Sequence, residues 1–207
     1  MTELNLPLIL IAALLAGASP GPATLAIAGT SMTSGRRAGL ALASGVTTGS
    51  FVWSVSAAFG LGAVMLANAW AFEIIRYAGA GYLLYLAYKS ARSALQGAHL
   101  KTPALVLSPR RAYSKGLALH LTNPKAILFF GALYAIGLPP DTPPSGLLIV
   151  IFAVGLQSMI VFHAYAMIFS STPMIAYYKR LRRWFEAVFA MAFGAAALRI
   201  LTARLVP

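Results

Sequence analysis

Apolar residues run through this chain in six long stretches, at about Leu6–Ala28, Ala38–Leu66, Phe72–Ser90, Gly116–Leu138, Leu147–Ser170 and Phe185–Ala203. Each is near the roughly 20 residues that carry an α-helix across a bilayer. A backbone in lipid must satisfy its own polar groups, so stretches of this length and character predict helices. Two of the six are interrupted. Ser19-Pro20-Gly21-Pro22 divides the first and Asn123-Pro124-Lys125 divides the fourth. Proline removes a backbone donor and clashes with the preceding turn, so two prolines flanking a glycine predict a broken helix.

The connections between the stretches carry the charge. Arg36 and Arg37 lie in the first, Lys89 through Lys115 in the third, and Lys179, Arg180, Arg182 and Arg183 in the fifth; together they hold twelve of the sixteen Lys/Arg. The second and fourth, at about 67–71 and 139–146, hold none. By the positive-inside rule the odd connections are cytoplasmic and both termini lie on the outer side. The N-terminus lacks the basic leader of a secretory signal and reads as a retained span. The long third connection, residues 92–112, divides the chain into half-repeats 1–91 and 113–207. Three spans is an odd number, so equivalent halves have opposite orientations, as in inverted-repeat transporters. The fold class predicted is an all-α integral membrane protein: six transmembrane helices as two three-helix halves in inverted orientation, with helices one and four interrupted.

Composition agrees. Of 207 residues 59% are apolar and 10% charged, against roughly 25% charged in an average soluble domain. Mean hydropathy is +0.78. The net charge of +12 is a topology signal rather than a nucleic-acid footprint. Absence of cysteine removes disulfide and thiol chemistry, and His99, His120 and His163 recur at no metal-ligand spacing, so no metal and no cofactor is expected. No phosphate loop, His-Glu-x-x-His or dinucleotide fingerprint occurs, which argues against an enzyme.

The interruptions carry the candidate chemistry. Broken helices at matching places in two halves mark a transport site. Ser19, Pro20, Gly21, Pro22, Asn123, Pro124 and Lys125 are therefore the candidate substrate-binding residues, with Thr47, Thr48, Gln157 and Tyr165 as further lining. Lys125 lies about 14 Å into its span at 1.5 Å per residue. A lysine at that depth costs roughly 2.5–3.5 kcal/mol, so it either snorkels to the cytoplasmic face or holds an anion such as a substrate carboxylate. His120 and His163 are candidates for a proton relay, since histidine titrates near physiological pH. Gly45-Val-Thr-Thr-Gly-Ser50 reads first as a packing surface. Glu73 with Arg76, and Glu186 with Arg182 or Arg183, read as interfacial ion pairs. The basic, aromatic run Tyr177–Trp184 is expected to anchor at the inner interface on anionic lipid.

At these residues the sequence resembles the LysE/RhtB-type amino-acid exporter family. The resemblance is carried by Ser19–Pro22, Gly35-Arg-Arg-Ala-Gly39, Tyr77–Leu86, Leu121–Phe130 and the closing Arg183–Arg199, in order over nearly the whole chain. It implies a six-span exporter of amino acids and related small solutes in the cytoplasmic membrane, driven by the proton gradient. Many members carry Asp or Asn after the Ser-Pro-Gly-Pro motif, where this chain has Ala23. Many carry an acidic residue in span five, where this chain has Gln157 and Ser158. A cationic substrate side chain would need a buried anionic partner, and no Asp or Glu falls in a span core. The expected substrate is thus a neutral amino acid or similar zwitterion. The alternative is a non-transporting scaffold or accessory subunit whose breaks only shape packing. The oligomeric state stays open; a homo-oligomer is compatible with the sequence.

Overall fold

The computed structural model describes residues 5–67, 69–96, 106–139 and 142–202. They form seven helices and, among the described residues, no strand: α1 (Leu6–Ala18), α2 (Pro22–Ala67), α3 (Ala69–Gln96), α4 (Pro109–Leu121), α5 (Pro124–Gly137), α6 (Pro144–Ile168) and α7 (Thr172–Thr202).

Both predicted interruptions are real breaks. Helix α1 starts on an Asn5 cap, whose side chain accepts from the Leu8 amide at 3.1 Å. It ends where Ser19 turns extended (φ −69°, ψ 140°), as a residue before proline does. Pro22 then opens α2. Helix α4 ends at Leu121, Asn123 is extended before Pro124 (φ −80°, ψ 109°), and Pro124 starts α5. With α2 counted as two segments on either side of Gly35, each half of the chain holds one helix pair interrupted at proline, followed by two long helices.

The first connection is shorter than the sequence pattern suggests. Helix α2 reverses at the single residue Gly35, which has φ 80° and ψ 173°. Only glycine adopts that region readily, so the turn is made by one residue and the exposed Arg36 and Arg37 sit inside helical structure. Likewise α3 continues past Lys89 and Arg92 to Gln96, and α7 starts at Thr172, thirteen residues before the expected span. Lysine and arginine are good helix formers, so charge does not end a helix that has left the apolar zone. Residues 97–105, with His99, lie outside the described residues. So do the side chains of Glu73, Arg76 and Arg182. Glu186 is buried at 3% exposure and accepts from the Ser93 hydroxyl at 2.9 Å.

Helices α2 and α4 cross closely. A Cβ on Gly45 would collide with the Tyr113 carbonyl, and one on Gly116 with the Leu42 carbonyl, so the backbones touch through paired glycines, as small-residue helix interfaces do. One apolar cluster, with Ile9, Tyr134, Val150 and Ile151, packs α1, α5 and α6 together. A second, with Ile27, Leu42, Val46 and Phe162, joins α2 to α6. Outward faces are also apolar: Ile11, Phe59, Phe152, Ile160, Met191 and Leu198 are each more than half exposed. So much apolar side chain on the outside exceeds what a soluble monomer carries. By length and composition, Pro144–Ile168 suffices to cross a membrane, and Pro22–Gly60 is as apolar but is divided by the turn at Gly35.

Candidate functional site

A broken helix frees carbonyls and amides that must find other partners. At the α1/α2 break those partners are side chains from elsewhere. The Tyr165 hydroxyl of α6 donates to the Ala18 carbonyl at 2.6 Å. The Lys125 ammonium of α5 donates to the Ser19 carbonyl at 3.2 Å and to the Ser19 hydroxyl. Thr24, one turn into α2, accepts from the Gly21 amide at 2.9 Å. The α4/α5 break is satisfied mainly by its own segment, with Trp53 of α2 also donating to the His120 carbonyl at 3.3 Å. Asn123 Oδ1 accepts from the Lys125 amide at 3.0 Å, and the Asn123 carbonyl accepts from Ala126 and Ile127. Thr122 returns its hydroxyl to the Ala118 carbonyl at 2.9 Å.

Lysine 125 bridges the two breaks, so it neither snorkels nor stands free. Its approach requires Gly21: a Cβ there would lie 3.3 Å from Lys125 Cδ and Nζ. Between the breaks is a small cavity of about 50 Å³, room for a few water molecules. Ser19, Gly21, His120, Asn123 and Lys125 line it, with Phe129, Phe130 and Phe162 as apolar walls. No Asp or Glu is among its lining residues.

Of the candidates read from sequence, the cavity thus gathers Ser19, Gly21, Asn123, Lys125 and His120, with Pro20, Pro22 and Pro124 forming the breaks themselves. The others point elsewhere. Thr47 returns its hydroxyl to the Ala43 carbonyl at 2.9 Å, and Thr48 bonds the Ser44 carbonyl and the Tyr113 hydroxyl. Gln157 donates to the Leu10 carbonyl at 3.0 Å, tying α6 to α1. Tyr165 touches the break from behind. His163 lies between Ser44 Oγ (3.0 Å) and the Met159 carbonyl (2.8 Å), away from the cavity.

Sequence reasoning missed Thr24, Ser50 and Ser158, which also line the cavity. Ser50 was findable. Leu42, Val46, Ser50, Ser54 and Ala58 are all buried at 2% or less and recur at i, i+4, so a serine on that stripe is a polar group on an otherwise apolar face. Ser50 bonds His120 Nε2 at 2.9 Å, and Ser54 bonds the Tyr134 hydroxyl. Among the described residues no group of three His, Cys, Asp or Glu could hold a metal ion.

The two breaks differ in chemical character. The first presents carbonyls, which suit an ammonium group. The second presents the Lys125 ammonium and the N-terminus of α5, which suit a carboxylate. Comparison with known proteins bears on what such a pair of poles serves. The family model described as LysE type translocator matches residues 14–204. The chain is 28% identical over 189 residues to a threonine efflux protein of Salmonella typhi, covering 90% of this chain and 92% of that one. It is 26% identical to the threonine efflux protein of Escherichia coli K12 over 99% of both chains. A homoserine/homoserine lactone efflux protein of Salmonella typhimurium is 35% identical over 135 residues, 65% of each chain. No solved structure matches.

Proposed function

Because the chain belongs to the LysE type translocator family, an integral membrane efflux family, we propose that it is a secondary transporter exporting neutral amino acids or similar small zwitterions across the cytoplasmic membrane, driven by the proton gradient. The observation that carries this reading is the Lys125 bridge: one cation, from one broken helix, held by the freed carbonyl of the other. Substrate binding replaces that contact. Its carboxylate takes Lys125, and its ammonium takes the carbonyls Lys125 leaves. Withdrawal of the lysine stem enlarges a cavity otherwise too small for an amino acid.

The lining supports neutral substrates, since it offers no carboxylate to a cationic side chain and an unpaired buried charge is costly. The relatives named for threonine and homoserine efflux fit the same class. The charge of the odd connections supports a topology with those connections cytoplasmic and both termini outside. A broken helix opening each half supports two inverted halves that rock about the central site. The exposed Tyr177, Arg180, Arg183 and Trp184 would rest on anionic lipid at the inner face.

Counterflow in proteoliposomes tests the function. Vesicles loaded with unlabelled threonine should accumulate labelled threonine from outside, and an imposed pH gradient should drive net flux. Labelled lysine should not exchange. No exchange of any neutral amino acid by folded protein would refute the reading.

A further inference from the structure

All but one of the polar side chains that line the cavity are already engaged within the protein. Ser19 and Lys125 bond each other, Thr24 accepts from the Gly21 amide, Ser50 and His120 share a bond, and Asn123 accepts from the Lys125 amide. Ser158 of α6 also lines the cavity, and among the described residues its hydroxyl has no hydrogen-bond partner. It lacks even the bond to the carbonyl four residues back that Ser44, Thr47 and Thr48 make.

This hydroxyl is open, and the opening faces inward. Among the described residues the buried side-chain polar atoms without a partner are His120 Nδ1 and Gln157 Oε1. The Ser158 oxygen is not one of them, so a water molecule can reach it. Residues two apart on a helix are about 200° apart around its axis and point to opposite sides. Leu156 and Ile160, two residues to either side of Ser158, are 55% and 60% exposed on the outer face. Val154 and Phe162, one turn to either side, are 1% and 4% exposed and line the same cavity. Ser158 thus stands in the middle of the buried stripe of α6, and its accessible surface belongs to the cavity.

Its position along the cavity sets it apart from the charged poles. Helices α1 and α6 run parallel, in contact at Leu10 with Gln157 and at Ala18 with Tyr165. Ser158 precedes Tyr165 by about two turns, so it lies beyond the first break, among the apolar lining of Ala13, Val154 and Phe162. The charged ends of a substrate have their partners at the breaks. A lone neutral hydroxyl set in apolar lining can both donate and accept, which matches a hydroxyl on a short hydrocarbon side chain. We infer that Ser158 is a specificity-determining residue that hydrogen-bonds the side-chain hydroxyl of the substrate, and that small neutral amino acids carrying such a hydroxyl are the preferred cargo. This rests on the transport reading above and adds what the site selects within the neutral class.

The test is the Kd of purified protein for threonine and for 2-aminobutyrate, which has the same carbon chain, carboxylate and ammonium but no hydroxyl. Wild type is expected to bind threonine about fivefold more tightly, the scale of one hydrogen bond between neutral groups. Ser158→Ala removes the hydroxyl and suits a helix. It is expected to bring the ratio of the two constants to about one, by weakening threonine. Ser158→Cys, whose thiol bonds weakly, should move the ratio in the same direction. Folding of both variants is checked by size-exclusion profile. A ratio that keeps its wild-type value in the variants, whether both ligands weaken or neither does, would overturn the inference while leaving transport intact. So would folded variants that bind neither ligand, or wild-type protein that does not distinguish the two. Wild-type protein that binds neither ligand would remove the transport reading and this inference together.

Discussion

The two helix breaks solve one physical problem in opposite ways. At Ser19–Gly21 the backbone is opened by two prolines, and its freed carbonyls are held by side chains from α5 and α6. At Thr122–Asn123 the backbone is opened by one proline, and the chain caps itself through Asn123 and Thr122, with one bond from Trp53 of α2 to the His120 carbonyl. The first break thus leans mainly on tertiary contacts from Lys125 and Tyr165, and the second mainly on its own caps, with one bond from Trp53. A conditional break can change when its partners move, whereas a self-capped break stays as a fixed platform. The contrast suits a carrier in which Lys125, rooted in the fixed break, releases the conditional one when a substrate arrives.

Substitutions can push on this contrast. The largest effect is expected for Lys125→Met, which keeps the stem and removes the ammonium. Counterflow should fall at least about a hundredfold, because both the bridge and the carboxylate ligand go, each worth ~1.5–3 kcal/mol as a charged hydrogen bond. Next is Asn123→Asp. The cap acceptor remains, so the melting temperature in detergent should stay near wild type. The new carboxylate would engage Lys125 and repel that of the substrate, and transport should drop about thirtyfold on the scale of a charge pair near 2 kcal/mol. Loss of stability with retained transport would show that the second break is not the fixed platform described.

Smaller effects are expected at the conditional break. Gly21→Ala places a Cβ 3.3 Å from Lys125 Nζ, and displacing the ammonium by a few tenths of an ångström should reduce counterflow about tenfold, as off-target positioning does in tightly packed sites. Tyr165→Phe removes one neutral hydrogen bond to the Ala18 carbonyl, worth ~0.5–1.5 kcal/mol. It should lower the melting temperature slightly and change transport by a few-fold. An equal stability loss from Thr122→Val, at the self-capped break, would erase the proposed difference between the two.

The breaks themselves were legible because proline acts locally. Its missing donor and its clash with the preceding turn need no knowledge of the fold, so Pro20, Pro22 and Pro124 marked the right places. Lys125 was legible in kind, since a cation deep in an apolar stretch demands a partner. That the partner is the Ser19 carbonyl depends on how α5 meets α1, which no local pattern contains. Thr47 and Thr48 failed to reach the cavity because each hydroxyl is consumed by the carbonyl four residues back; Thr48, two residues from Ser50, also points to the other side of α2. Gly35 was read as part of a polar connection, although its conformation alone makes the turn. The end of α3 and the start of α7 were missed because arginine and lysine mark the edge of an apolar zone, not of a helix.

The central claim is that the two breaks form one substrate site. The chain has no native cysteine, so single cysteines report cleanly. Ala13 and Ala126 line the cavity from α1 and α5, and Thr48 lies outside it. Rates of thiol labelling would be measured for Ala13→Cys, Ala126→Cys and the control Thr48→Cys as threonine is raised. One site requires that threonine slows labelling at positions 13 and 126 with the same half-protection concentration, and leaves position 48 unchanged. Protection of only one of the two cavity positions, or of none, would contradict a site shared by the two breaks.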